Sequence, residues 1–353
     1  MTEQNRKKIV ISGIQPSGRS HIGNWAGAFR HWLELQDDPQ YECSFFIADY
    51  HSLSGEYDPK EKRAQILDMM TDLLAIGLDP DKCTLFRQSD IAEHTELCWV
   101  FNTLTPIAFL ERMTQFKDKA GQQKENVNMG LLDYPVLQAA DILIHKGELV
   151  PVGRDQIQHV ELTRDMARFF NRKYGCEEFP ESKPLLTETP KLRSLTDPLK
   201  KMSKSHGEKT FLALDDDPET LKSKLSRAVT ETTGRISMTE KQVEEQMALL
   251  PEKRDEGALR GQAGVWNLLT ILRLTDSEDA VKQVLENQPI KYSELKSLVA
   301  EKVADYFADF RAKKAEFKAK PDEVREIFDK GAKKSRKTAQ ATMKQVRKII
   351  GIR

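Results

Sequence analysis

Four short apolar runs, at 9–12, 44–48, 84–86 and 149–152, alternate with longer amphipathic stretches in the first half of the chain. Runs of that length bounded by polar residues predict buried strands, and the stretches between them predict helices. One helix is expected over 60–76, ending before Gly77 and Asp79-Pro80, and another over 136–145. Strand and helix in alternation predict a Rossmann-like, doubly wound parallel sheet of the α/β class, with ligands at the carboxyl ends of the strands. After Ser205 the strand pattern stops. Helices are expected within 218–229, 264–274 and 292–318. Farther on, Ala339, Met343, Val346 and Ile350 share one helical face, with Lys344, Arg347 and Lys348 around the others. The expected division is an α/β domain over 1–206 and a C-terminal α-helical domain over 207–353.

Charge adds a direction to this picture. The 55 Lys and Arg balance 55 Asp and Glu over 353 residues, yet 301–353 holds 16 basic residues against 8 acidic. The rest of the chain carries the compensating negative excess. A basic C-terminal surface of that kind suits RNA phosphates, and it equally suits a solvated lysine face. No apolar stretch approaches the roughly 20 residues of a membrane span, and the polar start MTEQNRKK lacks a secretory apolar region. A cytoplasmic protein without a membrane partner is expected. Cys43, Cys83, Cys98 and Cys176 are scattered without C-x-x-C spacing, as buried free thiols would be. The run Asp215-Asp216-Asp217-Pro218 reads as a helix start rather than a cation site.

Two stretches carry chemistry. Lys201-Met202-Ser203-Lys204-Ser205 places two cations and neighbouring hydroxyls in a short polar segment after Asp197-Pro198, with Gly207 following. Paired cations suit a phosphate chain that gains negative charge as pyrophosphate leaves, although a lysine–serine run alone is also an ordinary solvated loop. Nearer the N-terminus, Gly13-Ile14-Gln15-Pro16-Ser17-Gly18-Arg19-Ser20-His21-Ile22-Gly23-Asn24 joins an apolar strand to a helix-like pattern. Strand, glycine-rich turn and helix N-terminus offer backbone N–H groups to a nucleotide. The spacing is neither that of a P-loop nor that of a dinucleotide fingerprint.

Together the two stretches resemble the H-I-G-H and K-M-S-K-S motifs of class I aminoacyl-tRNA synthetases. Asn24 stands where the second histidine is usual, as in the tryptophan branch of that family. Further matches are SGIQPSG (12–18), ERMTQFKDK (111–119), AADILI (139–144), VPVG (150–153) and Asp155-Gln156. The chain resembles the bacterial-type tryptophanyl-tRNA synthetases over nearly all of 8–350.

That resemblance implies a reaction in which the tryptophan carboxylate joins the α-phosphate of ATP, with Mg²⁺ arriving on the nucleotide and no dedicated metal site. It implies an ATP site built from Gln15, Ser17, Gly18, His21, Gly23, Asn24, Gly153 and the loop Lys201, Met202, Ser203, Lys204 and Ser205. His21, Lys201 and Lys204 are the expected catalytic groups. Gly23 would let the adenine approach, and Asn24 would add a donor. Lys117 and Lys119 are either secondary phosphate contacts or plain solvated lysines. The tryptophan pocket would draw on Ile11, Gly13, His51, Tyr134, Gln138, Asp141, Val150, Val152 and Gln156. Asp141 would accept the indole N–H, which can only donate.

The resemblance further implies a homodimer that carries tryptophan to the terminal adenosine of its tRNA, read by the C-terminal domain. Arg325, Arg336 and Arg347 are candidate RNA contacts. Two positions depart from the pattern. Gln138 stands where many tryptophan enzymes have methionine, so Tyr134, Gln138 and Asp141 alone fit a tyrosine enzyme equally well. Arg154 replaces a usual acidic residue. A tyrosine–tRNA ligase and a non-charging, regulatory relative are therefore the alternative readings.

Overall fold

The computed structural model describes residues 6–114, 116, 127–187, 189–250, 252 and 254–352. Five parallel strands form one sheet: β1 (Lys8–Ile14), β2 (Tyr41–Ile47), β3 (Cys83–Arg87), β4 (Leu149–Val152) and β5 (Lys183–Leu186), in the order β3-β2-β1-β4-β5. Val10 faces Cys43 on one side and Leu149 on the other, so β1 is the strand from which the order runs outward both ways. A crevice at the carboxyl end of such a strand is where open α/β sheets bind ligands. β5 was not anticipated. It contains Pro184, which an edge strand tolerates because one side of its ladder needs no partner.

The helices start and stop on local signals. Asp58 accepts from the Lys60 N–H at 2.8 Å to cap Pro59–Ala75, with proline in the first turn. Asn128 accepts from the Leu131 N–H at 3.1 Å to cap Met129–Leu143, which extends the expected helix toward its N-terminus. Ile157–Tyr174 ends on Gly175 at φ 61°, a left-handed cap that glycine adopts without steric cost.

The chain forms two compact units, and their limits differ from a division at 206/207. One comprises Met1–Gly18, Gly27–Glu188 and Glu316–Arg353; the other comprises Arg19–Ala26 and Thr189–Ala315. The long helix Pro321–Ile350 belongs to the sheet unit because its apolar face covers β3. Ala339, Met343 and Val346 are fully buried on that face, as their spacing predicted, with Phe328 and Ala332 continuing the stripe. At Gly331 the two backbones nearly touch: a Cβ there would lie 1.8 Å from the Leu85 carbonyl oxygen. Arg87 to Asp329 (2.6 Å) and Arg347 Nε to Glu96 (2.7 Å) tie the helix edges down.

The second unit is helical, with Pro218–Ser226, Glu240–Ala248, Glu256–Thr275, Glu278–Glu286 and Tyr292–Tyr306. Its core includes Leu221, Leu225, Leu268, Leu269, Val299 and Val303. Asp217 caps the first of these helices by accepting from the Thr220 N–H at 2.8 Å, the helix start expected there. Cys43, Cys83 and Cys98 are buried free thiols, and Cys176 is half-buried. Among the described residues no helix is long and apolar enough to cross a membrane.

Candidate functional site

His21 and the lysine loop stand in the same compact unit, because residues 19–26 join 189–315. The segment is held from both sides. Ile22 donates its N–H to the Leu212 carbonyl at 3.0 Å, and Leu214 donates to the Ser20 carbonyl at 2.9 Å. Arg19 reaches Asp215 at 2.6 Å and Asp216 at 2.9 Å, while buried Lys314 meets Asp215 at 2.9 Å. Asp215 is pushed up by burial but ends below its usual value, since Lys314 and Arg19 favour the anion.

His21 is the N-cap of the short helix Ile22–Asn24. Its Nδ1 accepts the Gly23 N–H at 3.0 Å, while its own backbone N–H donates to Asn24 Oδ1 at 3.0 Å. An Nδ1 that accepts carries no proton, so the neutral ring presents an N–H at Nε2. Burial, reinforced by Lys204 and Lys201, lowers the imidazole to about 4, which keeps it neutral near pH 7. Gly23 has a local reason: a Cβ there would lie 2.7 Å from His21 Cε1 and 2.8 Å from Nδ1. The glycine makes room for the histidine ring itself, a reason different from adenine access. Asn24 likewise spends its side-chain oxygen on the cap.

The lysine loop is anchored rather than loose. Met202 is buried and donates its N–H to the Leu192 carbonyl at 3.0 Å, and Arg193 and Lys201 form an isolated antiparallel bridge. Lys204–His206 make one tight turn, closed by the Gly207 N–H on the Lys204 carbonyl at 3.0 Å. The Thr210 hydroxyl donates to the carbonyls of Ser203 (2.9 Å) and Gly207 (2.7 Å), and Gly207 takes φ 95°. Met202 thus serves as a plug for the loop, while Lys201 and Lys204 supply the charge that reaches His21.

In the sheet unit, Asp141 lies in the centre of a buried polar cluster. Its Oδ1 accepts from His94 Nδ1 (2.5 Å) and Gln88 Nε2 (2.8 Å); its Oδ2 accepts from His51 Nε2 (2.8 Å) and Gln88 Nε2 (2.9 Å). Burial alone would raise this carboxyl, but the His51 and His94 hydrogen bonds hold it below the usual range and ionised. Three protein donors therefore hold the carboxylate, the Gln88 amide spanning both oxygens. Tyr134, one side of the His51 ring, bonds His159 Nε2 through its hydroxyl at 2.8 Å.

Other expected pocket residues are distributed around this cluster. Ile11 and Val150 are buried in the sheet core, Val152 and Gln138 are half-buried, and Gln156 bonds the neighbouring Asp155 at 3.1 Å. A Cβ at Gly13 would lie 2.5 Å from the Phe46 ring, so this glycine lets β1 pass an aromatic side chain. Gly153 would place a Cβ 2.9 Å from Asp155 Oδ1. Gln15 and Ser17 line a cavity of about 380 Å³ with Ser52, Ser54, Tyr57 and Lys62. Gly18, the last residue of the sheet unit's first segment, adopts φ 90°. Ser205 lies in the turn, and Lys117 and Lys119 lie outside the described residues. Of the candidate RNA contacts, Arg347 is engaged by Glu96 and Arg325 by Asp322 at 2.6 Å, while Arg336 stands 3.5 Å from Glu93.

The sequence reading missed Gln88, His94, His145 and His159. One signal was available, since Asp141 and His145 are four residues apart on one helical face. Nothing local linked either to His94.

The model of the tRNA synthetases class I (W and Y) matches residues 3–308. A tryptophan–tRNA ligase of Rickettsia conorii is 39% identical over 348 residues, covering 98% of this chain and 99% of that protein. A tryptophan–tRNA ligase of Helicobacter pylori is 36% identical over 351 residues, with the same coverage. The crystal structure of a Campylobacter jejuni tryptophanyl-tRNA synthetase, complexed with ADP and tryptophan, superposes with a TM-score of 0.79 at 33% identity, over 97% of this chain and 99% of that one.

Proposed function

The chain belongs to the class I tRNA synthetases of the tryptophan and tyrosine type, and from that premise we propose that it is a tryptophan–tRNA ligase. The observation that carries the chemistry is His21, held neutral with its proton on Nε2, in one compact unit with Lys201 and Lys204. A tryptophan carboxylate oxygen bonds to the α-phosphorus of ATP, and the bond to pyrophosphate breaks. The terminal adenosine of tRNA then takes the tryptophanyl group through a ribose hydroxyl, and AMP leaves. No covalent enzyme group is needed; positioning and charge stabilisation suffice.

The Nε2–H of His21 donates to a phosphate or ribose oxygen, and Lys201 and Lys204 take up charge on the leaving pyrophosphate. Mg²⁺ would arrive with the triphosphate and would neutralise part of its charge, a mode that asks for no carboxylate cage. Asp141 accepts the indole N–H. His51, His94 and Gln88 already donate to Asp141, so the indole takes a position on the carboxylate that one of them holds or shares. Gly23 and Asn24 flank His21 in the helical unit, Gln15, Ser17, Gly18 and Gly153 are the nucleotide candidates of the sheet unit, and Tyr134, Gln138 and Gln156 are its candidates for the tryptophan.

Exposed Trp99, Ile107 and Met129 supply apolar surface that supports a second copy as the partner. Exposed Lys330, Lys333, Lys334, Lys337, Lys344 and Lys348 on Pro321–Ile350 support contact with tRNA phosphates. The cytoplasm is the compartment where ATP and tRNA meet such an enzyme.

ATP–pyrophosphate exchange, run with tryptophan and tyrosine separately, tests the reading. Exchange with tryptophan is expected. Exchange with tyrosine alone would assign the Tyr134–Gln138–Asp141 set to a phenol instead. Gly23→Ala is expected to raise the KM for ATP about fivefold, because the new methyl displaces the His21 ring and its cap, worth ~1 kcal/mol. An unchanged KM would separate His21 from the nucleotide.

A further inference from the structure

Behind Asp141 the buried hydrogen bonds continue. His94 Nε2 lies 2.9 Å from His145 Nε2, and Ser335 Oγ lies 3.5 Å from each ring nitrogen of His145. His94 is fully buried, and His145 and Ser335 are 5% exposed. Phe86 stands edge-on to both rings, and Phe46 to His94, which leaves apolar walls around the line. The line starts at a carboxylate and ends on the helix Pro321–Ile350.

Counting protons along it restricts the tautomers. Asp141 is ionised and only accepts, so His94 carries a proton on Nδ1. One proton, and only one, fits between the two Nε2 atoms. Burial, followed by the neighbouring His94, keeps His145 well below its ordinary value and neutral. With His94 also neutral, His145 donates from Nε2 and its Nδ1 accepts the Ser335 hydroxyl. With His94 charged, the shared proton moves to His94 Nε2 and the Nδ1–H stays on Asp141. Either way, the common tautomer of His94, protonated on Nε2 alone, would set two lone pairs against each other at 2.5 Å.

We propose that His94 and His145 are positioning residues for amino-acid selection. They lock the His94 Nδ1–H onto Asp141 Oδ1 and so fix the rotation and charge of that carboxylate. Oδ2, shared by His51 and Gln88, is left as the oxygen that changes partner when the indole arrives. The inference rests on the tryptophan reading and adds residues that reach no substrate atom. A buried anion that loses one donor is weakened by an amount that corresponds to roughly tenfold or more in binding.

The test uses the full-length chain. His94→Leu is expected to raise the KM for tryptophan at least about tenfold in pyrophosphate exchange, with the KM for ATP unchanged. His94→Asn, whose amide N–H can stand near the lost Nδ1–H, restores most of the loss. Nitrogen-15 shifts of the wild-type histidines should show His94 protonated at Nδ1. A folded His94→Leu with an unaltered KM for tryptophan overturns the proposal. So does a wild-type His94 protonated on Nε2 alone, a readout that survives if the leucine variant fails to fold. Absence of any tryptophan-dependent exchange in the wild type instead overturns the function on which the proposal depends.

Discussion

Alanine at Lys204 is expected to slow adenylate formation by about 10²–10³-fold while the KM for tryptophan stays near its original value. The asymmetry follows from where the charge develops. In the ground state the β- and γ-phosphates would already be stabilised by solvent and by the cation that accompanies ATP. In the transition state the bond to pyrophosphate breaks and one more negative charge accumulates there. A cation that meets this charge lowers the barrier without tightening amino-acid binding. The loop suits that task, since its turn is closed from Gly207 to Lys204 and pinned by Thr210 on Ser203. Ammonium placement therefore requires little ordering at the moment of reaction. Lys204 also helps lower His21, so the variant should let this histidine titrate at a higher pH. Single-turnover formation of the adenylate, set beside tryptophan binding at equilibrium, decides the matter. Equal losses in both would place Lys204 in ground-state binding.

Gly331→Ala is expected to lower stability by about 3 kcal/mol, at the upper end of ordinary overpacking. Propensity argues the other way, because alanine in place of glycine favours a helix by roughly 0.5–1 kcal/mol. The close approach wins. A methyl 1.8 Å from the Leu85 carbonyl oxygen cannot be absorbed by a rotamer, since both neighbours are backbone. The helix must rise from β3, and Ala332, Ala339 and Met343 would lose contact with the core along with it. A fall in the guanidinium midpoint of the sheet unit's transition measures the effect. A midpoint at or above the original would show that helix and strand can part at little cost.

Periodicity found what depends on local burial. Four strands were legible as apolar runs, and the stripe Ala339–Met343–Val346 was legible as a helical face. The partner of that stripe was not, because an amphipathic face states that it is covered and not by what. Strand β5 escaped because Pro184 reads as a breaker, and only its edge position makes it acceptable. The change of pattern after 206 reflects a real loss of strands, yet compactness follows contacts, which return residues 316–353 to the sheet and assign 19–26 to the helical unit. At the site, motif spacing singled out His21, Lys201, Lys204 and Asp141. It could not show that Gly23 exists for the His21 ring, or that Asp141 is fully engaged by Gln88, His51 and His94. Those facts join segments far apart in sequence, and no single window contains them.

The helix on β3 also sets an order of events in time. Residues 321–350 leave the ribosome after all five strands have been made, so β3 waits uncovered through most of synthesis. An edge strand with a bare apolar face is a template for unwanted pairing. Here the exposure lasts as long as some 230 residues take to translate, from Arg87 to Pro321, which is tens of seconds at ordinary elongation rates. Premature termination in that interval would release a nascent sheet without its cover. For this chain the vulnerable product is an unfinished one, and the demand for a chaperone should fall on the nascent polypeptide more than on the completed protein.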